Sequence, residues 1–259
     1  MRVCTWNIQL GLRLDAVLDA VRSRGDFKDL DLLCLQEASV HSGRPDGARI
    51  AEAMGPAYDY FQVTAQMRRG LEQANALIWR RDSFQPGQPQ VVPLNTSTPA
   101  NLRRLERTLL RAIAPQHRIA IRAESPELRV YVVHLDVIGF THKIEQLRAV
   151  IADMAGLPLV PLTLVAGDLN TFGPPGLQLW RKLAATAAEA GLVEVTREVK
   201  RTHWTAQKLD AIFARADVPL AFRAWVVNLR ASDHQPVFAD IDHESIGTTP
   251  HPSPARKRR

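Results

Sequence analysis

One feature recurs along this sequence and constrains it most: short apolar runs that end beside a polar residue able to do chemistry. Asn7 stands near the end of Arg2–Ile8, and Leu30–Leu35 leads into Gln36-Glu37. His134 stands near the end of Arg129–Leu135, Asp168 and Asn170 follow Leu162–Val165, and Asp233 and His234 precede Pro236–Ile241. Runs of this length, rich in Val, Ile and Leu, read as buried strands. Helical patterns fall between them. Leu14–Val21 places Leu14, Val17, Leu18 and Val21 on one face, Gly47–Met54 reads as a second helix, His142–Met154 closes at Gly156, and Leu177–Ala190 ends at Gly191.

The remaining strands are Tyr58–Ala65, Ala74–Trp79, Ile119–Ala123, Ala211–Phe213 and Arg223–Val227, with a hairpin around Ser125-Pro126. Phe84–Pro99 reads as a proline-rich loop, and Leu102–Ile113 fits a helix or a strand equally well. Strand–helix alternation mixed with hairpins implies an α/β (α+β) domain, with layered sheets inside and helices outside. That domain spans residues 1–242. Residues 243–259 lose apolar periodicity, carry Pro250, Pro252 and Pro254, and read as a disordered basic tail.

The formal net charge of +6 suits an anionic partner. About half of it belongs to the tail, where Arg256, Lys257, Arg258 and Arg259 face a single glutamate. No apolar run reaches the ~18 residues of a membrane span, and Met1-Arg2 leads directly into a strand rather than a leader. These points favour a cytoplasmic protein without stable membrane insertion. Cys4 and Cys34 fit that compartment as reduced core residues. Each precedes a polar candidate (Asn7, Glu37) by three positions, an odd offset that puts thiol and candidate on opposite faces of a strand. P-loop and nucleophile-elbow motifs are absent from the sequence, which excludes NTP hydrolysis on a P-loop and serine-hydrolase chemistry.

Each polar candidate also has an ordinary structural role. Glu37 could cap a helix, Asp168-Leu-Asn170 could form an Asx turn, His134 could be a hydrogen-bonded core histidine, and Asp233-His234 could be a strand-entry turn. As a set, carboxylate and amide oxygens without cysteine suit a hard cation, Mg²⁺ or alternatively Mn²⁺.

Taken in order, Thr5-Trp-Asn-Ile8, Leu35-Gln-Glu37, Asn75-Ala-Leu-Ile78, His134-Leu-Asp136, Gly167-Asp-Leu-Asn-Thr171, Leu209-Asp-Ala-Ile-Phe213 and Ser232-Asp-His-Gln-Pro236 resemble the endonuclease/exonuclease/phosphatase superfamily. The resemblance runs from residue 3 to about residue 241. It implies a four-layer sandwich of two packed mixed β-sheets flanked by helices, and a metal-dependent phosphoesterase activity. It also implies roles. Asn7 and Glu37 would hold the metal with Asp233 close by, and Asp168, helped by Asn170, would orient or deprotonate the attacking water. His234 would neutralise transition-state charge, with Asp210 holding its other ring nitrogen, and His134 would donate to a phosphate oxygen or the leaving group. Glu72 is a further candidate, as a partner orienting His134.

Two departures matter. Gln9 stands where abasic-site enzymes of the superfamily carry an acidic residue, and His134 where they carry tyrosine. Both point away from that branch, and Gln9 argues against a second metal. For substrate, nucleic acid (DNA or RNA) is slightly favoured. The basic residues Arg68-Arg69, Arg103, Arg104, Arg107, Arg111, Lys200-Arg201 and Lys208 could form a rim, and Trp204 could stack on a base. The alternative substrate is a phospholipid headgroup or other small phosphoester. A catalytically inactive binding module ranks last, because no metal-site carboxylate and no late histidine is missing.

Overall fold

The computed structural model describes residues 1–96, 116–173 and 176–243. Leu102–Ile113, expected as a helix or a strand and carrying four arginines, and the expected disordered tail from residue 244 lie outside those residues. The first half runs β1 (Arg2–Asn7), α1 (Leu14–Ser23), β2 (Leu32–Ala38), a small hairpin of β3 (Val40–His41) and β4 (Arg44–Pro45), α2 (Asp46–Met54), β5 (Tyr58–Arg68), β6 (Leu71–Arg80) and β7 (Gln90–Leu94). The second half runs β8 (Arg118–Glu124), β9 (Leu128–His134), α3 (Phe140–Ala155), β10 (Leu162–Asp168), α4 (Gly176–Glu189), β11 (Val193–Glu194), β12 (Asp210–Ala216), β13 (Leu220–Val226) and β14 (Val237–His243).

Two six-stranded sheets result, ordered β13-β14-β1-β2-β6-β5 and β11-β12-β10-β9-β8-β7. Each has a parallel pair near its centre, β1–β2 and β9–β10, and antiparallel neighbours on both sides. Strand periodicity then sorts the side chains. Val3, Leu32, Cys34 and Leu77 meet Val130, Val132, Leu164 and Ile212 between the sheets. The other faces pack outward, with Trp6, Leu33 and Leu35 under α1 and α2, and Tyr131, Val133 and Phe213 under α3 and α4. The layers are therefore helix, sheet, sheet, helix. Packing rather than capping holds α3, since its N-cap Gly139 offers no side-chain bond. Burial of Leu147 and Val150 contributes about 1.5–3 kcal/mol each, more than the ~1 kcal/mol of a good cap.

Two expectations are corrected here. The stretch Phe84–Pro99 is not all loop, because Gln90–Leu94 pairs with β8 as the last strand of its sheet. Pro93 lacks an N–H and is tolerated there because an edge strand leaves one side unpaired. The second concerns Cys34. Cys4 lies on the helix-covered face, opposite Asn7 as expected, but Cys34 lies between the sheets. The register of β2 against β6 shifts between Leu35 and Ala38, and Glu37 takes φ 52°. This bulge breaks the alternation and turns Glu37 to the same side as Gln36. Both thiols are free and buried, and burial pushes that of Cys34 up to about 12. Among the described residues no helix is long and apolar enough to cross a membrane.

Candidate active site

Strand direction brings the candidates to one edge of the sandwich. The parallel strands β1, β2, β9 and β10 end there, and the antiparallel strands β12 and β14 begin there. Asp168 is directly opposite His134 on one side and Asp210 on the other, so three candidate side chains form a row across three strands. The register needs a close approach of backbones: a Cβ on Gly167 would fall 1.8 Å from the carbonyl oxygen of Val133. The glycine before Asp168 is thus required by space.

A cleft of about 350 Å³ is lined by Asn7, Gln9, Glu37, Asp168, Asn170, Asp233 and His234, with Arg68, Arg69, Phe172 and His203 around it. The Nδ2 amide of Asn7 donates to Oδ2 of Asp168 at 3.0 Å. Asn170 is held in an Asx turn with φ 50°, its N–H donating to Oδ1 of Asp168 at 2.8 Å. The turn and the cleft position coexist, so an ordinary local role and a place in the site are not alternatives here. Glu37 accepts from Gln73 at 2.8 Å and from Arg68 at 3.2 Å. Gln9 donates to Oδ2 of Asp233 at 3.0 Å. The residue that departs from the abasic-site pattern therefore occupies one face of that carboxylate.

The two histidines differ in charge. His134 Nδ1 lies 3.0 Å from an Arg118 nitrogen. Arginine has only donors, so Nδ1 accepts and the ring proton sits on Nε2. Burial, then the charges of Arg118, His234 and Arg68, drive the pKa of His134 well below its ordinary value. It is a neutral imidazole. His234 Nδ1 instead meets the Asp210 carboxylate at 2.9 and 3.1 Å. Burial opposes its charge, but Asp210 and Asp168 prevail and raise it to about 10. Both rings bring Nε2 to 3.7 Å from Oδ2 of Asp168. Burial, reinforced by Asp210 and opposed by His234, pushes Asp168 itself up to about 6.

Glu72 does not orient His134. It accepts from the Thr64 hydroxyl across the β5–β6 hairpin, and Arg118 takes the position at His134 Nδ1. Arg118 and Gln73 carried no sequence signal, since an arginine or glutamine at a strand end is indistinguishable from a solvated one. His203 was also missed. Its ring centre is 4.6 Å from that of His234, and its Nε2 is 3.8 Å from Asp233. Groups of three His or acidic side chains whose ligand atoms fall within 4.8 Å are, among the described residues, His203–Asp233–His234 and Asp168–Asp210–His234. Glu37 stands outside both, with its Oε1 4.0 Å from Nε2 of His134.

The model of the Endonuclease/Exonuclease/phosphatase family matches residues 4–234. The chain belongs to that family, and so to a group of phosphoester hydrolases. An endonuclease/exonuclease/phosphatase from Bacteroides vulgatus is similar at 16% identity over 94% of this chain and 98% of that one, with a TM-score of 0.68. Bacteroides thetaiotaomicron mannosyl-6-phosphatase is similar at 17% identity over 94% and 100%, with a TM-score of 0.65. The human Nocturnin catalytic domain, solved with a bound sulfate anion, is similar at 17% identity over 93% and 94%, with a TM-score of 0.64. At such identities the likeness speaks for the fold, and substrate has to be argued from the site. No curated protein sequence matches the chain.

Proposed function

We propose that this protein hydrolyses phosphodiesters with the help of a divalent cation, Mg²⁺ or Mn²⁺, and that its substrate is nucleic acid. The observation that carries the reading is the approach of a neutral and a charged imidazole to the one carboxylate of Asp168, in a cleft lined with oxygen donors. Asn7, Glu37 and Asp233 offer amide and carboxylate oxygens, and both cysteines are buried in apolar clusters, a donor set that fits a hard cation. Such a cation supplies Lewis-acid stabilisation of phosphoryl charge.

The chain's own groups do the rest. Asp168, steadied by Asn7 and Asn170, takes the proton of the water that attacks phosphorus. His234, fixed by Asp210, sets its positive charge against the developing phosphorane oxygens. His134 presents its Nε2–H to a phosphate oxygen or to the departing alkoxide. Arg68 and Arg69, at the end of the β5–β6 hairpin, favour a polyanion at the cleft mouth. A second reading, a phospholipid headgroup or other small phosphoester, has its own observation: Met67 is 63% exposed on that hairpin and Leu12 is 57% exposed at the cleft. The buried, reduced cysteines suit the cytoplasm as its compartment.

The test is turnover of plasmid DNA, RNA, a phospholipid and bis(p-nitrophenyl) phosphate with Mg²⁺, Mn²⁺ or chelator. Nucleic acid should be cut with metal and spared in chelator. In Glu37→Gln the Mg²⁺ needed for half-maximal rate should rise about tenfold or more. Full activity in excess chelator overturns the metal role, and phospholipid turnover with both nucleic acids intact selects the second reading.

A further inference from the structure

A second hollow, of about 600 Å³, adjoins the catalytic cleft and shares Gln9, His203 and Asp233 with it. Its wall also carries Arg13, Arg201, Arg230 and Trp204. The proposed hydrolysis employs none of these four. Among the described residues no carboxylate pairs with any of the three arginines, and Arg13 instead donates to the carbonyl of Arg230 at 2.9 Å. All three arginines are exposed, so an anion entering the hollow would meet guanidiniums that no carboxylate already neutralises. Trp204 is 73% exposed, yet its segment is fixed. Its N–H donates to Asp233 O at 3.0 Å, Gln235 N–H donates to Thr202 O at 2.7 Å, and His203 bridges to His234. The wall of the hollow and the catalytic pair Asp233-His234 are thus one hydrogen-bonded unit. Aromatic rings step across it, with His203 centred 4.6 Å from His234 and 5.8 Å from Trp204.

Resting on the phosphodiesterase reading, we infer that this hollow receives the nucleotide beside the scissile bond, with its base on Trp204 and its further phosphate among Arg201, Arg230 and Arg13. Guanidinium pairs with phosphate by charge-assisted, two-pronged bonds. An indole face accepts any base, so the subsite demands a phosphate and is indifferent to sequence. The substrate class is then a strand with at least one phosphate next to the one cleaved, rather than an isolated diester.

The experiment compares kcat/KM for thymidine dinucleotides with a 5′-terminal phosphate, with a 3′-terminal phosphate, and with none, alongside bis(p-nitrophenyl) phosphate, all with Mg²⁺. One of the phosphorylated dinucleotides should be cleaved about tenfold or more better than the bare one, the yield of one good charged contact. In Arg201→Ala/Arg230→Ala that preference should shrink to within about threefold, and Arg201→Lys/Arg230→Lys should restore part of it. Arg148→Ala removes the same charge from exposed α3 surface and should leave the preference intact. Equal cleavage of all three dinucleotides, or a preference that survives the double alanine variant, overturns the subsite while bis(p-nitrophenyl) phosphate turnover leaves the hydrolase reading standing. Loss of turnover on every substrate overturns both.

Discussion

His134 and His234 lie at equal distances from one oxygen of Asp168, in the same buried edge, and yet hold opposite charge states. The difference lies behind each ring. A guanidinium at Nδ1 of His134 forbids a proton there and repels positive charge, whereas a carboxylate at Nδ1 of His234 requires one. Each imidazole is thereby suited to one task, the neutral ring to hydrogen-bond donation and the cation to charge stabilisation. Burial is alike for both; the backing residue decides.

The comparison breaks most severely at the shared carboxylate. Asp168→Asn, or His234→Ala on one side of it, should lower kcat by about 10²–10⁴ with little change in KM. More than about a tenth of wild-type kcat in Asp168→Asn would remove the water-activating role assigned to it. Asp210→Asn should lower kcat less, by about 10–10², because it acts through His234. It should also move a pH limb. His234 has a folded pKa above its unfolded one, so its contribution to stability is complete below about pH 6.5 and is lost as pH rises through about 10. Activity that depends on the cation should fall over that same alkaline limb, and Asp210→Asn should shift the limb to lower pH. A limb unmoved in Asp210→Asn would show that another group titrates there.

Arg118→Gln attacks the other ring. Without the guanidinium His134 should titrate closer to the ordinary histidine range, visible as a new imidazole transition by NMR, and kcat should drop about tenfold as the fixed tautomer is lost. An imidazole that stays neutral down to acidic pH in that variant would assign the shift to burial and to the charges of His234 and Arg68. Glu72→Gln should do least, changing kcat by less than about twofold, since its carboxylate faces Thr64. A loss as large as that of Arg118→Gln would reinstate Glu72 behind His134.

Much of this was legible beforehand because it depends on periodicity. The short apolar runs of β1, β2, β9 and β10 located those strands to within a few residues and set Asn7, His134 and Asp168 at or just past their ends. Alternation failed at Glu37, where an inserted residue reverses parity without any change in composition. It also failed at Pro93, where edge position tolerates a missing donor. The ordered motifs pointed to Asp168, Asp210 and His234, but Arg118, Gln73 and His203 became visible only through tertiary pairing. Arg118 is one of many arginines in a basic chain. What distinguishes it is complete burial against His134, a property of the folded neighbourhood.

The floor of the site ties β1 to the segment leading into β14. The Trp6 indole donates to the carbonyl of His234 at 3.1 Å, the Ser232 hydroxyl donates to the carbonyl of Asn7 at 2.7 Å, and β14 pairs beside β1. During synthesis β1 emerges long before β14 and has only β2 as a neighbour until residue 237 and beyond leave the ribosome. Contacts spanning 225 and 228 residues are slow to close, and until then the edge of β1 that β14 will cover remains open. A nascent chain from which β14 has not yet emerged therefore cannot assemble the cleft, so the geometry of the site arrives late and all at once.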